Sequence, residues 1–233
     1  MKIIKNLFIV LLVVTVARVF AFFDDSGKGR DIKTDLVPFG EMPTLSQVTE
    51  PTPILRLLTI PKGKERPHAF CTAFVVDVRY AITAAHCIND NGHIARDMFK
   101  TSDARGNDTG ISVQAIGYDI RTDLGLITGD FSSVRPIRAA FNKDSFDVGQ
   151  PAKHLVSCGY PRGQAHLVCT TFLATRMSGF SVAGVGHIIP GMSGGPVIDT
   201  DTMEVVAVNY AVTEDGLSLV SPIEGMLGMF GLE

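Results

Sequence analysis

The stretch Gly191-Met192-Ser193-Gly194-Gly195-Pro196 places one serine among glycines and ends on a proline. Glycine and serine gather in many loops for backbone reasons alone, so this turn by itself is a weak indication of chemistry. Two upstream residues change its meaning: His86 in TAAHC (residues 83–87) and Asp123 in RTDLGL (residues 121–126). A histidine, an aspartate and a serine in this order predict an active site built around Ser193.

Each of these residues also has a role in that prediction. A serine hydroxyl needs a base to become a nucleophile near neutral pH, and the base needs a third group that fixes its tautomer. We therefore expect Ser193 to attack, His86 to take its proton and Asp123 to orient the imidazole. Gly191 and Gly194 permit backbone angles closed to other residues, so the N–H groups of Gly191 and Ser193 are candidate oxyanion donors. Taken singly, the three side chains are as readily explained by an ordinary core histidine, a turn carboxylate and a loop hydroxyl.

Short runs with strand character follow one another along most of the chain, separated by turn-forming clusters such as Asn89–Gly92 and Thr213–Gly216. Helical periodicity is scarce, and we predict only a short helix after Ala84 and another near Ile223–Met229. This pattern predicts an all-β sandwich or barrel. With His86 and Asp123 in the first half of the chain and Ser193 in the second, we expect two barrels with the site in the cleft between them. The predicted strands are Ile54–Ile60, Phe70–Val76, Tyr80–Thr83, Ile111–Ile116, Leu124–Ile127, His166–Leu173, Pro196–Ile198, Val205–Val212 and Leu217–Val220.

The histidine, aspartate and serine motifs, together with Cys71, resemble those of trypsin/chymotrypsin-fold serine proteases over residues 54–223. Residues 189–198 (IPGMSGGPVI) and 205–209 (VVAVN) are most similar to the HtrA-type branch. Gly159-Tyr160-Pro161-Arg162-Gly163 also resembles a loop of that branch and of bacterial glutamyl endopeptidases. The resemblance implies two packed six-stranded Greek-key β-barrels and a protein or peptide substrate.

The chain departs from that family in two places. Met192 stands where digestive trypsin-like enzymes have an aspartate that captures a newly cut N-terminus, and an Ile-Val-Gly-Gly start is absent. Activation by that ion pair is therefore not expected. Because the sequence continues only to Glu233 after Ser193, the PDZ domains that HtrA-type proteins usually carry are not expected here.

The resemblance implies a substrate pocket formed by His187, Ile188, Ile189, Asn209 and Tyr210. His187 takes the position where an acidic residue would favour cleavage after lysine or arginine. A histidine there is also found in glutamate-cutting enzymes, but those have threonine and histidine where this chain has Ile188 and Asn209. The apolar neighbours favour small or medium apolar side chains, and His187 can equally be an ordinary loop residue.

The N-terminus has the layout of a secretory signal peptide, predicted over residues 1–21. Lys2 and Lys5 precede an apolar run, Leu7–Ala17, that is shorter than the ~20 residues of a membrane-spanning helix. We expect export, to the medium or the periplasm, without stable membrane insertion after cleavage; an uncleaved anchor is the alternative. Residues 22–53 are interpreted as a leader, propeptide or wrapping arm, and residues 54–233 as the two-barrel protease domain.

The four cysteines, Cys71, Cys87, Cys158 and Cys169, are an even number in a chain predicted to be exported. Three pairings are open to them. The local one, Cys71 with Cys87 and Cys158 with Cys169, closes two short loops and ties a strand beside His86. Four free thiols would instead fit a cytosolic protein.

Composition excludes some other functions. The formal charge is −3, and no run of lysine or arginine is long enough to follow a phosphate backbone, so nucleic acid is not expected as a partner. The six histidines show no metal-binding spacing, and neither a metal nor a cofactor is predicted.

We therefore expect a secreted serine endopeptidase. The rival class is a protease-fold protein that binds without cutting, although such proteins usually lack one of the three residues. An esterase of another fold is a second alternative, but that class usually places its histidine last in the chain.

Overall fold

The computed structural model describes residues 52–59, 68–90, 93–94, 99–103, 107–140, 143–146, 154–164 and 166–224. They belong to one compact unit, Pro43–Glu233. The predicted signal peptide, nearly all of the predicted arm at 22–53, and most of the helix predicted near Ile223–Met229 lie outside the described residues. Over the described residues, no helix has both the length and the apolar character needed to cross a membrane.

Two closed antiparallel barrels of six strands each make up the described structure, which confirms the all-β, two-barrel prediction. The first half of the chain contributes β1 (Ile54–Thr59), β2 (His68–Val75), β3 (Tyr80–Ala84), β4 (Asn89–Asp90), β5 (His93–Ile94), β6 (Phe99–Ser102), β7 (Asp108–Asp119) and β8 (Leu124–Thr128). The first barrel has the order β1-β2-β3-β8-β7-β6 and closes where β6 pairs with β1, whereas β4 and β5 form a separate two-stranded ladder.

The second barrel is built from the later strands in the order β10-β11-β14-β13-β12-β9 and closes where β9 pairs with β10. Its members are β9 (Leu155–Gly159), β10 (Val168–Ser178), β11 (Ser181–Val185), β12 (Pro196–Asp199), β13 (Glu204–Val212) and β14 (Ser218–Pro222). Among the described residues, helix is limited to short 3₁₀ segments at Ala85–Cys87, Lys143–Phe146 and Pro161–Gly163 and to the α-helical Glu224 at the end of the described range.

Alternation of side chains along the strands fills each barrel interior. In β7, Ile111 and Val113 are buried while Ser112 and Gln114 are exposed, as expected for a strand with one face on a core. Phe131 lies in the core of the first barrel, and Phe172 in that of the second. Two separate cores thus fill the barrels, and the turns between strands carry the candidate site.

Both disulfides follow the local pairing. Cys71 in β2 is bonded to Cys87 at the end of the 3₁₀ helix that carries His86. Cys158 and Cys169 stand opposite one another on β9 and β10. No cysteine is left free.

Candidate active site

His86 and Asp123 are joined by two hydrogen bonds at the edge of the first barrel. The backbone N–H of His86 donates to Oδ1 of Asp123 at 2.9 Å, and Nδ1 of the imidazole lies 2.7 Å from Oδ2. The imidazole side chain is 48% exposed and the carboxylate 20% exposed. With Nδ1–H donating to the carboxylate, Nε2 carries the lone pair and can accept a proton.

The turn between β7 and β8 presents Asp123. Its φ of +52° lies in the left-handed region, and its carbonyl accepts a hydrogen bond from the N–H of Ala85 at 2.8 Å. The hydroxyl of Ser221, on β14 of the second barrel, donates to the carbonyl of Thr122. Contacts from both barrels therefore hold the loop that carries the carboxylate.

Asp119 begins the same turn and stabilises it. Its carboxylate accepts hydrogen bonds from the backbone N–H of Arg121 at 2.9 Å and from the guanidinium at 3.3 Å. Burial opposes ionisation of Asp119, but the hydrogen bonds and charge of Arg121 outweigh it and hold the pKa of this carboxyl below its ordinary value. The Arg121 guanidinium also lies 5.8 Å from the ring centre of Phe180, on the second barrel.

Ser193 stands on the turn that precedes β12 of the second barrel. Its carbonyl accepts a hydrogen bond from the N–H of Thr72 in β2 at 2.8 Å and lies 3.9 Å from the sulfur of Cys87, the residue after His86. The structure thus brings the serine turn against the strand and helix that lead to the histidine. Within the described residues no hydrogen bond joins the Ser193 hydroxyl to His86; such contacts often tighten only when a substrate is bound.

The glycines of this turn have the backbone angles the sequence predicts. Gly191 and Gly194 have φ values of +97° and +82°. A Cβ on Gly191 would collide with the carbonyl of Tyr160, and one on Gly194 would collide with the carbonyl of Thr72. In the described part of the chain, the N–H groups of Gly191 and Ser193 donate to no protein acceptor. An oxyanion donor must be uncommitted to protein acceptors in this way.

Met192 is buried inside the second barrel. It is 0% exposed and belongs to the core cluster that includes Phe172 and Val206. Gly159 makes room for it, since a Cβ there would lie 2.8 Å from the Met192 Cα. Because the residue before Ser193 is an apolar methionine and not an aspartate, its burial requires no charged partner in the core.

The predicted pocket residues divide by exposure. His187 and Ile189 are exposed, and Tyr210 is half-buried with its hydroxyl 2.6 Å from that of Ser181. Ile188 is buried, and its N–H donates to the Ser218 hydroxyl at 3.3 Å.

Asn209 is enclosed by the second barrel. Its side-chain oxygen accepts from the Ser157 hydroxyl at 2.9 Å, and its amide donates to the Cys158 carbonyl at 3.0 Å. Its backbone carbonyl accepts from the N–H of Gly194 at 2.7 Å. Asn209 therefore supports the serine turn from behind.

One cluster of metal-ligating residue types lies beside the site. The side-chain donor atoms of Cys71, His86 and Cys87 are within 4.8 Å of one another. Because the two sulfurs share a disulfide, neither is a thiolate that could bind a metal.

Sequence reasoning missed two residues at this site. The hydroxyl of Thr72 donates to the Gly191 carbonyl at 2.8 Å, and the N–H of Arg162 donates to the Pro190 carbonyl at 2.6 Å. The Gly159–Gly163 loop motif was the only signal that could have pointed to the second of them.

Comparisons with known proteins identify the family of this domain. Residues 71–208 match the family model of the trypsin-like peptidase domain, a range that contains His86, Asp123 and Ser193. A sequence comparison with curated proteins finds no significant match.

Solved structures share the fold. A serine endoprotease from Yersinia pestis superposes with a TM-score of 0.61 at 18% identity, covering 78% of this chain and 63% of that one. The HtrA-type protease AlgW with a decapeptide gives 0.62 at 16% identity, covering 79% and 64%. The active form of the Rv3671c protease from M. tuberculosis gives 0.57 at 20% identity, covering 80% and 84%. The chain spans slightly less than two thirds of the first two.

Proposed function

Because this chain belongs to the family of trypsin-like peptidase domains, we propose that it is a serine endopeptidase acting through an acyl-enzyme. The observation that carries the proposal is the carboxylate of Asp123, which binds both the N–H and Nδ1 of His86. That pair fixes the tautomer with Nε2 as the base, on the barrel against which the Ser193 turn packs.

The reaction begins when Oγ of Ser193 attacks the carbonyl carbon of the scissile peptide and His86 Nε2 takes the hydroxyl proton. The N–H groups of Gly191 and Ser193 bind the oxyanion of the tetrahedral intermediate. His86 then protonates the leaving amine as the C–N bond breaks, leaving an acyl group on Ser193. Water, deprotonated by His86, attacks that ester, and the proton returns to Ser193 as the acid product leaves.

Labelling by a fluorophosphonate probe tests this proposal directly. The wild-type protein is expected to react at Ser193, and Ser193→Ala to lose the label. Ser132→Ala removes an exposed turn hydroxyl of the first barrel and should label like wild type. A folded, mature protein that neither labels nor cleaves peptides would be a protease-fold binding protein instead.

We propose that the preference for particular substrate side chains is set by a pocket formed by His187, Ile188, Ile189, Asn209 and Tyr210. The exposed Ile189 and the absence of an acidic side chain among these five support cleavage after small or medium apolar residues. Sequencing the products from a mixed peptide library measures this preference. Cuts mainly after lysine or arginine would contradict the assignment.

We propose that the protein is exported and that its N-terminus is processed. Both disulfides are consistent with an oxidising compartment. We place a signal peptide at residues 1–21, an arm at 22–53 and the protease domain at 54–233. N-terminal sequencing of protein recovered from the periplasm or medium tests these boundaries, and recovery of intact Met1 in a membrane fraction would favour an anchor.

A further inference from the structure

The direction of each candidate oxyanion donor is set by the carbonyl of its own peptide group. In a trans peptide the C=O and N–H point in opposite directions, and the peptides here are trans. The Ser193 N–H shares its peptide with the Met192 carbonyl, which accepts from the N–H of Gly195 at 2.9 Å. The serine turn therefore orients the Ser193 donor by itself.

The other donor depends on a separate segment. The Gly191 N–H shares its peptide with the Pro190 carbonyl, which accepts from the N–H of Arg162 at 2.6 Å. Arg162 lies in the Tyr160–Gly163 loop and has a φ of +51°, a left-handed conformation uncommon for a residue with a side chain. Such a conformation persists where surrounding contacts hold it.

The first barrel supplies those contacts. The fully buried Tyr160 donates its hydroxyl hydrogen to the carbonyl of Ile54 in β1 at 2.8 Å. The guanidinium of Arg56, also in β1, donates to the carbonyl of Gly163 at 3.0 Å. Both ends of the Tyr160–Gly163 loop are thus bound to one strand.

Thr72 joins this loop to the serine turn. Its hydroxyl accepts from the N–H of Tyr160 at 3.0 Å and donates to the carbonyl of Gly191 at 2.8 Å. Its own N–H donates to the carbonyl of Ser193, and its carbonyl accepts from the Thr83 hydroxyl at 2.7 Å. Since Thr72 is fully buried, water cannot take over these bonds.

We propose that Thr72 and Arg162 are positioning residues that hold the Pro190–Gly191 and Gly191–Met192 peptides so that the Gly191 N–H faces the substrate oxygen. This inference rests on the proposed peptidase activity. In digestive enzymes an ion pair with the new N-terminus orders the oxyanion donors. Here, we infer, contacts with the first barrel order them, and Met192 packs in the core where the ion pair would otherwise lie. The donors are then set in the folded chain without a cut at the start of the domain.

Thr72→Val and Thr72→Ser form the matched test. Valine keeps the shape of the side chain but removes the hydroxyl, whereas serine keeps the hydroxyl. For Thr72→Val we expect kcat per folded molecule to fall about 10- to 100-fold, less than on loss of a donor itself, with KM nearly unchanged. Affinity for a peptide aldehyde, whose adduct oxygen uses the same donors, should fall in parallel. Affinity for the non-covalent product peptide should not, and Thr72→Ser should recover most of kcat.

Arg162 provides a second, independent pair of variants. Arg162→Pro removes the N–H and cannot adopt a positive φ, so kcat should fall at least as far as in Thr72→Val. Arg162→Gly keeps the N–H, adopts the angle without strain and should stay close to wild type.

The results separate this inference from the proposed function. An active wild type with unchanged kcat in Thr72→Val would overturn the positioning role alone. So would equal losses in aldehyde and product-peptide affinity, which indicate general damage to the site. A wild type that neither cleaves nor labels overturns the peptidase proposal as well.

Discussion

Asp123 combines two functions in one side chain, since one oxygen holds the backbone of His86 and the other holds its ring. The backbone bond fixes where the imidazole starts, and the ring bond fixes which nitrogen is protonated. An amide in the same place can still make one of these bonds but presents an N–H where an acceptor is needed. Replacing Asp123 with asparagine therefore removes the charge and one acceptor while keeping the shape of the side chain.

Asp123→Asn should lower kcat by about 10⁴-fold, the loss typical when the aspartate of such a triad becomes asparagine. The cause is the wrong imidazole tautomer rather than a changed fold. Asp130→Asn is the control, since Asp130 is an exposed turn aspartate that binds the Ser132 N–H at 3.1 Å, away from the site. A loss below about 10-fold in Asp123→Asn would contradict the role of the carboxylate.

Gly191→Ala should disable the oxyanion turn. A methyl group there meets the Tyr160 carbonyl, and the φ of +97° disfavours any side chain. The control is Gly179→Ala, with a φ of +57° but nothing within 4 Å of the added carbon. Urea unfolding should show a cost of about 1–2 kcal/mol for the control and more for Gly191→Ala. Only Gly191→Ala should lose kcat; equal kcat in both variants would refute this reading of the turn.

Residues that we propose to act through their own side-chain chemistry could be selected from the sequence, whereas residues that we propose to act through the backbone could not. His86, Asp123 and Ser193 stand in motifs whose chemistry requires them. Thr72 looks like any threonine in an apolar strand, where that residue type is common. Arg162 contributes an N–H that every residue except proline has, so nothing in its side chain marks its contact with Pro190.

At the level of elements, most barrel strands were predicted, but β6, β9 and β11 were missed. Leu155–Gly159 is buried at every position, so no polar alternation marks β9. Ser181–Val185 contains Ala183 and Gly184, which are weak strand formers. Packing explains the glycine, because a Cβ there would collide with the carbonyl of Leu173 on the paired strand.

The two disulfides should differ in what they support. Removing either pair with serines should lower the free energy of unfolding by roughly 3 kcal/mol, from loops of 16 and 11 residues in sequence separation. Only loss of Cys71–Cys87 should also lower kcat, because Cys87 ends the helix of His86 and lies against the Ser193 carbonyl. Cys158 and Cys169 lie on strands that stay paired through their ladder.

Urea unfolding and kcat of the two double variants, measured where both are folded, provide the comparison. Each pair is the control for the other, since the substitutions are the same and the closed loops are of similar length. Equal kcat losses would mean that the Cys71–Cys87 bond has no special relation to the site.

On the scale of the whole molecule, buried polar contacts join the barrels at the site. Tyr160 follows β9 of the second barrel and binds Ile54 of the first, while Ser221 of the second binds Thr122 of the first. The same contacts that hold the two halves together thus set the loops of the site. Stability of the domain and geometry of the site are coupled through them.

The contact of Tyr160 with the first barrel can be tested through the pH dependence of the free energy of unfolding. Burial, the largest effect, raises the pKa of the Tyr160 phenol well above its usual range; nearby Asp103 raises it further and Arg56 partly offsets both. The folded protein therefore keeps a proton that the unfolded chain releases above about pH 10. The stabilisation due to the neutral phenol is complete below that pH and is lost as pH rises toward the folded pKa, by about 1.4 kcal/mol per pH unit.

Tyr160→Phe keeps the ring and removes both the hydrogen bond and the titration. At pH 7 we expect its free energy of unfolding to be about 1 kcal/mol lower than that of wild type, because the hydrogen bond to the Ile54 carbonyl is lost. Above pH 10 only the wild type loses stability through the raised pKa of Tyr160. The difference in free energy of unfolding should therefore shrink and reverse at about pH 11. Urea unfolding of both proteins from pH 7 to 11 measures it. A constant difference across that range would mean that the phenol is not buried at the junction of the barrels.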